Sequence, residues 1–199
     1  MRIFRLIHGI HSPEGNNNMS ALHPVLQKAA PKAHVALFEY GFMGFWKARW
    51  ANDGVAARLA ETAEVTRRYA EQEVWVTHSN GAAVAYLAVR DHGARPSMII
   101  NINPALDRNL VADVPAVEVI HSRGDRAVYW SQFLPFHLWG DQGKVGYRGD
   151  RDTVLNHEAS AKDFGRMSYQ GHMGLFQSDR IWDWAHFMNH RADERLGEL

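Results

Sequence analysis

The chain has 199 residues, with 22 Lys and Arg against 22 Asp and Glu, a pI of about 7.2, 46% hydrophobic content and 22% charged content. That length suits one domain, or one domain with a small cap, and zero net charge gives no electrostatic case for binding nucleic acid or an acidic membrane. With no cysteine there is no disulfide, thiol nucleophile or zinc–thiolate site, which fits a cytoplasmic protein, and no apolar run reaches the 18 residues of a transmembrane helix.

In chain order, the apolar stretch 3–7 reads as a first strand and is too short and interrupted for a signal peptide. It runs straight into His8-Gly9-Ile10-His11. A helix is expected over 21–30, a strand over 34–38 and a helix over 54–70, where Val55, Leu59 and Ala63 recur every four residues and form one apolar face. The next strand, 74–77, ends at His78-Ser79-Asn80-Gly81, and small residues lead into a helix over 82–92. Strands follow at 98–102 and 117–120, with a further candidate at 144–147, and a terminal helix at 179–190. Alternation of this kind predicts an α/β three-layer sandwich with a mostly parallel sheet, whose ligands gather at the carboxyl ends of the strands. Ser79, Asp125 and the His8-Gly9 loop all fall at such ends. The sequence shows no repeat, low-complexity tract or long linker, so the whole of 1–199 is expected to form one domain.

The run Thr77-His78-Ser79-Asn80-Gly81 has the form of a nucleophile elbow, a sharp strand-to-helix turn that lifts one Oγ clear of the sheet, with Thr77 where the G-x-S-x-G pattern has its first glycine. A serine in a tight turn also serves simply as a turn residue or helix cap. Two further features follow it in order. Asp125 lies just beyond the strand 117–120, in Ser122-Arg123-Gly124-Asp125, and His172 sits between glycines in Gln170-Gly171-His172-Met173-Gly174. The intervals are 46 and 47 residues, each wide enough for one βα unit. Asp125 is also placed to cap a helix beginning near Ala127, Asp107 is a competing acid after the strand 98–102, and His157 is the main rival histidine among 12. His121 and Ser122 read as structural.

These motifs resemble the α/β-hydrolase superfamily, in particular its small serine esterases and lipases. The resemblance covers most of the chain but rests on three or four short motifs. It implies Ser79 as nucleophile, His172 as general base and acid, and Asp125 as the carboxylate that orients the histidine. It also implies an oxyanion hole made by the amides of Asn80 and Ile10, with His11 as the alternative to Ile10. The implied reaction is hydrolysis of a carboxylic ester through an acyl-enzyme, without a cofactor. Thioester, lactone and amide hydrolysis use the same machinery. Epoxide hydrolase and dehalogenase chemistry are not expected from a serine. The alternatives are a hydrolase-fold binding protein without turnover, and a lid-gated lipase.

Two aromatic-rich segments, 40–50 and 128–139, hold ten of the chain's 22 aromatic residues and read as pocket walls or small lids. Gly9, Phe42, Trp46 and Trp130 are the candidate substrate contacts, and Tyr129, Phe133, Leu134, Phe136 and Trp139 belong to the second segment. The other reading of such spacings (Phe42, Phe45, Trp46, Trp50) is an amphipathic helix packed into the core. An apolar or aromatic small-molecule ester is the expected substrate. His186 and His190, with Asp183 one turn earlier, and His8 with His11 are loose histidine groupings that chance accounts for in a histidine-rich chain. No metal is expected.

Overall fold

The structure, a computed structural model, describes residues 1–10, 15, 17–131 and 139–197, apart from the side chains at 45, 49, 129–131 and 163. His11, Phe133, Leu134 and Phe136 and the side chains of Tyr129 and Trp130 therefore lie outside the described residues. Among the described residues, six parallel strands form one sheet in the order β2-β1-β3-β4-β5-β6. They are β1 (Arg2–Ile7), β2 (His34–Phe38), β3 (Gln72–His78), β4 (Met98–Ile102), β5 (Val117–His121) and β6 (Val154–Glu158). Every residue of β1, β4 and β5 is buried, as befits parallel strands covered on both faces.

The principal helices are α1 (Asn18–Ala29), α2 (Phe45–Thr66), α3 (Gly81–Arg90), α4 (Arg126–Ser131), α5 (Gln142–Val145) and α6 (Ile181–Leu196). Leu22 and Leu26 of α1 share a core with Trp184, Ala185 and Met188 of α6 and with Phe4, Leu6, Val74, Val76 and Ile100 of the sheet. On the other face Val55, Ala56 and Leu59 of α2 meet Ala83, Val84 and Leu87 of α3 over Ile7, Trp75 and Ile99. The odd and even positions of each strand thus feed different cores, and the molecule is a three-layer sandwich. No helix among the described residues is long and apolar enough to cross a membrane.

After β1 the chain turns one way to β2 and then crosses back to β3 on the other side of β1. This reversal opens a crevice at the carboxyl ends of β1 and β3, the place where open α/β sheets bind ligands. The His8-Gly9 loop and Ser79 stand there.

Two expectations are corrected. The segment 144–147 is not a strand: residues Gln142–Val145 form α5, and Gly146 ends it at φ 76°. The backbone of Tyr147 is paired by a side chain instead, since its N–H donates to Asn156 Oδ1 at 2.8 Å and its carbonyl accepts from Asn156 Nδ2 at 3.0 Å. The sixth strand is β6, a half-exposed edge with only Val154 and Leu155 as apolar residues, too few to register as a strand pattern. Second, α2 begins nine residues before the expected position 54, so much of the first aromatic segment forms its opening turns. Phe42, just before α2, and Trp46 and Trp50 within it are exposed, not packed as an amphipathic core face.

Candidate active site

Ser79 follows β3 in a left-handed backbone conformation, φ 55°. Such a conformation is unfavourable for a residue with a Cβ and persists only where its surroundings hold it. Here they do. Its N–H donates to Ile102 O at 3.2 Å, and its carbonyl accepts from Ala105 N at 3.0 Å and Ala82 N at 3.1 Å. The turn also needs room. A methyl group on Gly81 would lie 2.5 Å from Ile7 O and 2.8 Å from His8 O, and one on Gly9 would lie 2.9 Å from Ser79 Cβ. Glycine at both positions lets β1, the elbow and α3 close on one another. Position 77 makes no such demand: Thr77 is fully buried, with its Oγ1 2.7 Å from Asn101 Oδ1 on the neighbouring strand.

Asp125 and His172, 47 residues apart, are brought together. Asp125 is fully buried and its Oδ2 accepts from His172 Nδ1 at 2.8 Å. Its other oxygen accepts from Val128 N at 3.0 Å, which makes it the N-cap of α4 as well. The capping and imidazole-orienting geometries are thus both present in one carboxylate. Because Nδ1 must carry the proton that meets the carboxylate, a neutral His172 presents the bare lone pair of Nε2. Among the described residues, the hydrogen bonds of this ring run to Asp125 and not to Ser79.

The rivals lie elsewhere. Asp107 accepts from Asn109 N at 2.9 Å and closes its own turn. His157 stands on β6 against the buried Glu118, which also receives Arg191 at 3.0 Å.

The loop carrying His172 is held by residues that the sequence did not single out. The carbonyl of His172 accepts from His78 Nε2 at 3.1 Å and from Asn103 Nδ2 at 2.9 Å. Asn103 is the other non-glycine residue with positive φ (42°) among the described residues, and Tyr169 donates its hydroxyl to Asn103 Oδ1 at 3.2 Å. Ser122 Oγ accepts from Gly171 N at 3.2 Å while Ser122 O accepts from Asp125 N at 2.9 Å, so one residue ties the Asp125 and His172 loops together. His78 packs its ring 4.6 Å from that of His172 and edge-on to Phe176. Burial, then the neighbouring His172, hold His78 well below the usual imidazole range and keep it neutral, although its bond to the carbonyl acts the other way. Burial, reinforced by Asp125, pushes the Tyr169 phenol up, so it remains a donor. Among these residues Asn103 alone has a turn signal in the sequence, since it precedes Pro104 at the end of a strand.

Asn80 opens α3, where the first N–H groups of a helix lack partners within it. Its side chain is buried, bonded to Asn52 of α2 and to Trp139. Across the crevice, His8 is buried with its Nδ1 2.7 Å from Gly9 O, and Tyr40 stacks on it at 3.9 Å while donating its hydroxyl to His8 O at 2.6 Å. Ile10 follows, half-buried against the α2–α3 core. Among the described residues no group of three or more His, Asp or Glu is placed to hold a metal.

No protein-family model and no curated protein matches this sequence. Its structure does have counterparts. It is similar to lipase B of Aspergillus fumigatus (TM-score 0.62, 13% identity over 91% of this chain), of which it spans half the length. It is also similar to Est1E of Butyrivibrio proteoclasticus (TM-score 0.59, 10% identity, covering 99% of this chain and 89% of that one). A third counterpart is an a/b serine hydrolase without lid from Xanthomonas campestris (TM-score 0.57, 16% identity, 99% of this chain and 84% of that one). The chain has the fold of the α/β-hydrolases.

Proposed function

We propose that this chain is a serine hydrolase that cleaves carboxylic esters through an acyl-enzyme, with Ser79 as nucleophile, His172 as general base and acid, and Asp125 as the orienting carboxylate. The observation that carries this reading is the 2.8 Å bond between His172 Nδ1 and the buried Asp125, at the same end of the sheet as a serine held at φ 55°. Ser79 Oγ attacks the carbonyl carbon as its proton passes to His172 Nε2. The carbonyl oxygen becomes an oxyanion, received by the amides of Asn80 and Ile10. The imidazolium, stabilised by Asp125, returns the proton to the departing alkoxide. A water then gives a proton to Nε2 and attacks the acyl carbon, and the imidazolium returns that proton to Ser79 Oγ as the bond to the acyl carbon breaks and the acid leaves. Each oxyanion donor is worth roughly 3 kcal/mol of barrier.

Support for an ester also comes from structures that share the fold: a lipase and Est1E, which has been seen with ferulic acid bound. Gly9, beside Ser79, and the exposed rings of Phe42 and Trp46 are proposed to meet the substrate, with Trp130 as a further candidate, and they favour an apolar or aromatic group. Thioester and lactone substrates use the same steps. A second reading, a hydrolase fold that binds without turnover, is favoured by the missing Ser79–His172 hydrogen bond among the described residues. Apo sites often show such bonds long, tightening only with substrate.

The test is intact-mass spectrometry after incubation with a fluorophosphonate, with peptide mapping of the adduct. One adduct on Ser79, lost in Ser79→Ala and strongly slowed in His172→Ala, is the expected result. Folded wild-type protein that takes no adduct supports the binding reading instead.

A further inference from the structure

We infer that Asn52 and Trp139 are positioning residues that hold the Asn80 amide in place for the oxyanion. The inference rests on the reading of Ser79 as nucleophile. Asn52 Nδ2 donates to Asn80 Oδ1 at 2.9 Å, and Asn80 Nδ2 donates back to Asn52 Oδ1 at 2.9 Å, so the two amides form a closed pair between α2 and α3. Trp139 Nε1 donates to the same Asn80 Oδ1 at 2.9 Å. An indole N–H only donates, so the atom it meets is the carbonyl oxygen, and this settles which way the Asn80 amide faces. Both lone pairs of that oxygen are then in use. All three residues are at most 6% exposed.

Buried amides are an unusual choice for a helix–helix contact. Apolar side chains of the same volume would pack α2 on α3 without desolvating polar groups, so the amide pair gives little stability over them. What it gives is direction. Asn80 follows the strained Ser79, and the peptide plane joining the two sets where the Asn80 N–H points. That plane is held at its Ser79 carbonyl by Ala82 N and Ala105 N, and the three side-chain hydrogen bonds, made to two separate parts of the fold, fix the Asn80 Cα at its other end. A fully satisfied network of this kind rigidifies its surroundings. An oxyanion donor is effective only when it is already aimed at the position the charged oxygen will occupy.

The experiment uses wild type, Asn52→Leu, Trp139→Phe and the double variant, with 4-nitrophenyl butyrate as substrate and a trifluoromethyl ketone whose adduct with serine carries the oxyanion. Each single variant is expected to lose roughly tenfold in kcat with KM within about twofold, less than the loss of an oxyanion donor outright. Binding of the ketone weakens in step with kcat/KM, because both report the transition state. The double variant falls short of the product of the two single losses. Urea unfolding of each variant separates these effects from stability. A lowered unfolding midpoint with unchanged kcat and unchanged ketone binding would overturn the inference and leave Asn52 as a packing residue. If Asn52→Leu does not fold, Trp139→Phe, a milder change, decides by the same two readouts. Wild-type protein that neither turns over the ester nor takes a fluorophosphonate would instead remove the serine-hydrolase reading beneath the inference.

Discussion

At the scale of single residues, the loop carrying His172 rests on one buried imidazole that its surroundings hold neutral. His78 has its ring against His172 and its Nε2–H on the His172 carbonyl, and it is neutral because burial and the adjacent His172 oppose a charge there. Its folded pKa lies below the unfolded value of about 6.5. Above that value both states are neutral and stability is fully present. As the pH falls below it, the unfolded chain binds a proton that the folded chain refuses, and stability is lost by about 1.4 kcal/mol per pH unit until the folded pKa is reached. His121, also depressed by burial, adds to the loss in the same direction. Urea unfolding at pH 7.5 and 5.5 should therefore show a loss of roughly 1–3 kcal/mol at the lower pH. In His78→Gln, which keeps an N–H donor for the His172 carbonyl, the loss should shrink by about half; an undiminished loss would mean that His78 is not the group that titrates. At this scale the sequence marked Ser79, Asp125 and His172 through their order and small neighbours. It could not separate His78 from the other histidines, because partners 94 residues away define its role.

At the scale of elements, the elbow works because α3 starts against the end of β1. Gly81 is the point of closest approach, and an added Cβ would meet backbone oxygens of Ile7 and His8, which have no side-chain freedom to give way. Gly81→Ala is expected to destabilise the fold by about 2–3 kcal/mol, the upper part of the range for overpacked cores. For a chain of this length that is a fall in Tm of roughly 5–10 °C, which calorimetry would detect. An unchanged Tm would show that β1 and α3 can separate without penalty. The helix and strand periods were legible wherever a face was apolar, as in Val55, Leu59 and Ala63. They were not legible at β6, whose edge position leaves few residues to bury, and at the start of α2 the aromatic spacing allowed a helix or a lid, with Trp46 and Trp50 exposed on the helix that forms.

At the scale of the whole molecule, α6 is tied to the sheet by charge as well as by its apolar face. Glu118 on β5 is fully buried and receives Arg191 at 3.0 Å, with Arg195 at 3.7 Å and His157 also on it. Burial alone would raise its carboxyl pKa. The bonds from His157 and Arg191 outweigh that and hold it below the usual range. Removing one partner of a buried pair leaves the other charge uncompensated. Glu118→Gln is therefore expected to lower stability by about 3 kcal/mol and Tm by roughly 10 °C, with ester turnover at 25 °C unchanged because the network lies away from Ser79. A thermal melt and a turnover assay on the same preparation would check both halves.

The sequence by itself determined the alternation of strands and helices, the sharp turn at Ser79 and the chain order of serine, acid and histidine. These are local or directional properties, set by side-chain size, β-branching and the freedom of a few glycines. Only the tertiary structure decided which acid meets His172. That choice depends on the order of strands in the sheet, which puts the end of β5 beside the late histidine loop and leaves Asp107 closing its own turn. It decided too that Asn52, Asn103 and Trp139 surround the site. Each is an ordinary polar or aromatic residue in sequence, and each acquires a role only when packing buries its polar atoms and obliges them to find partners far along the chain.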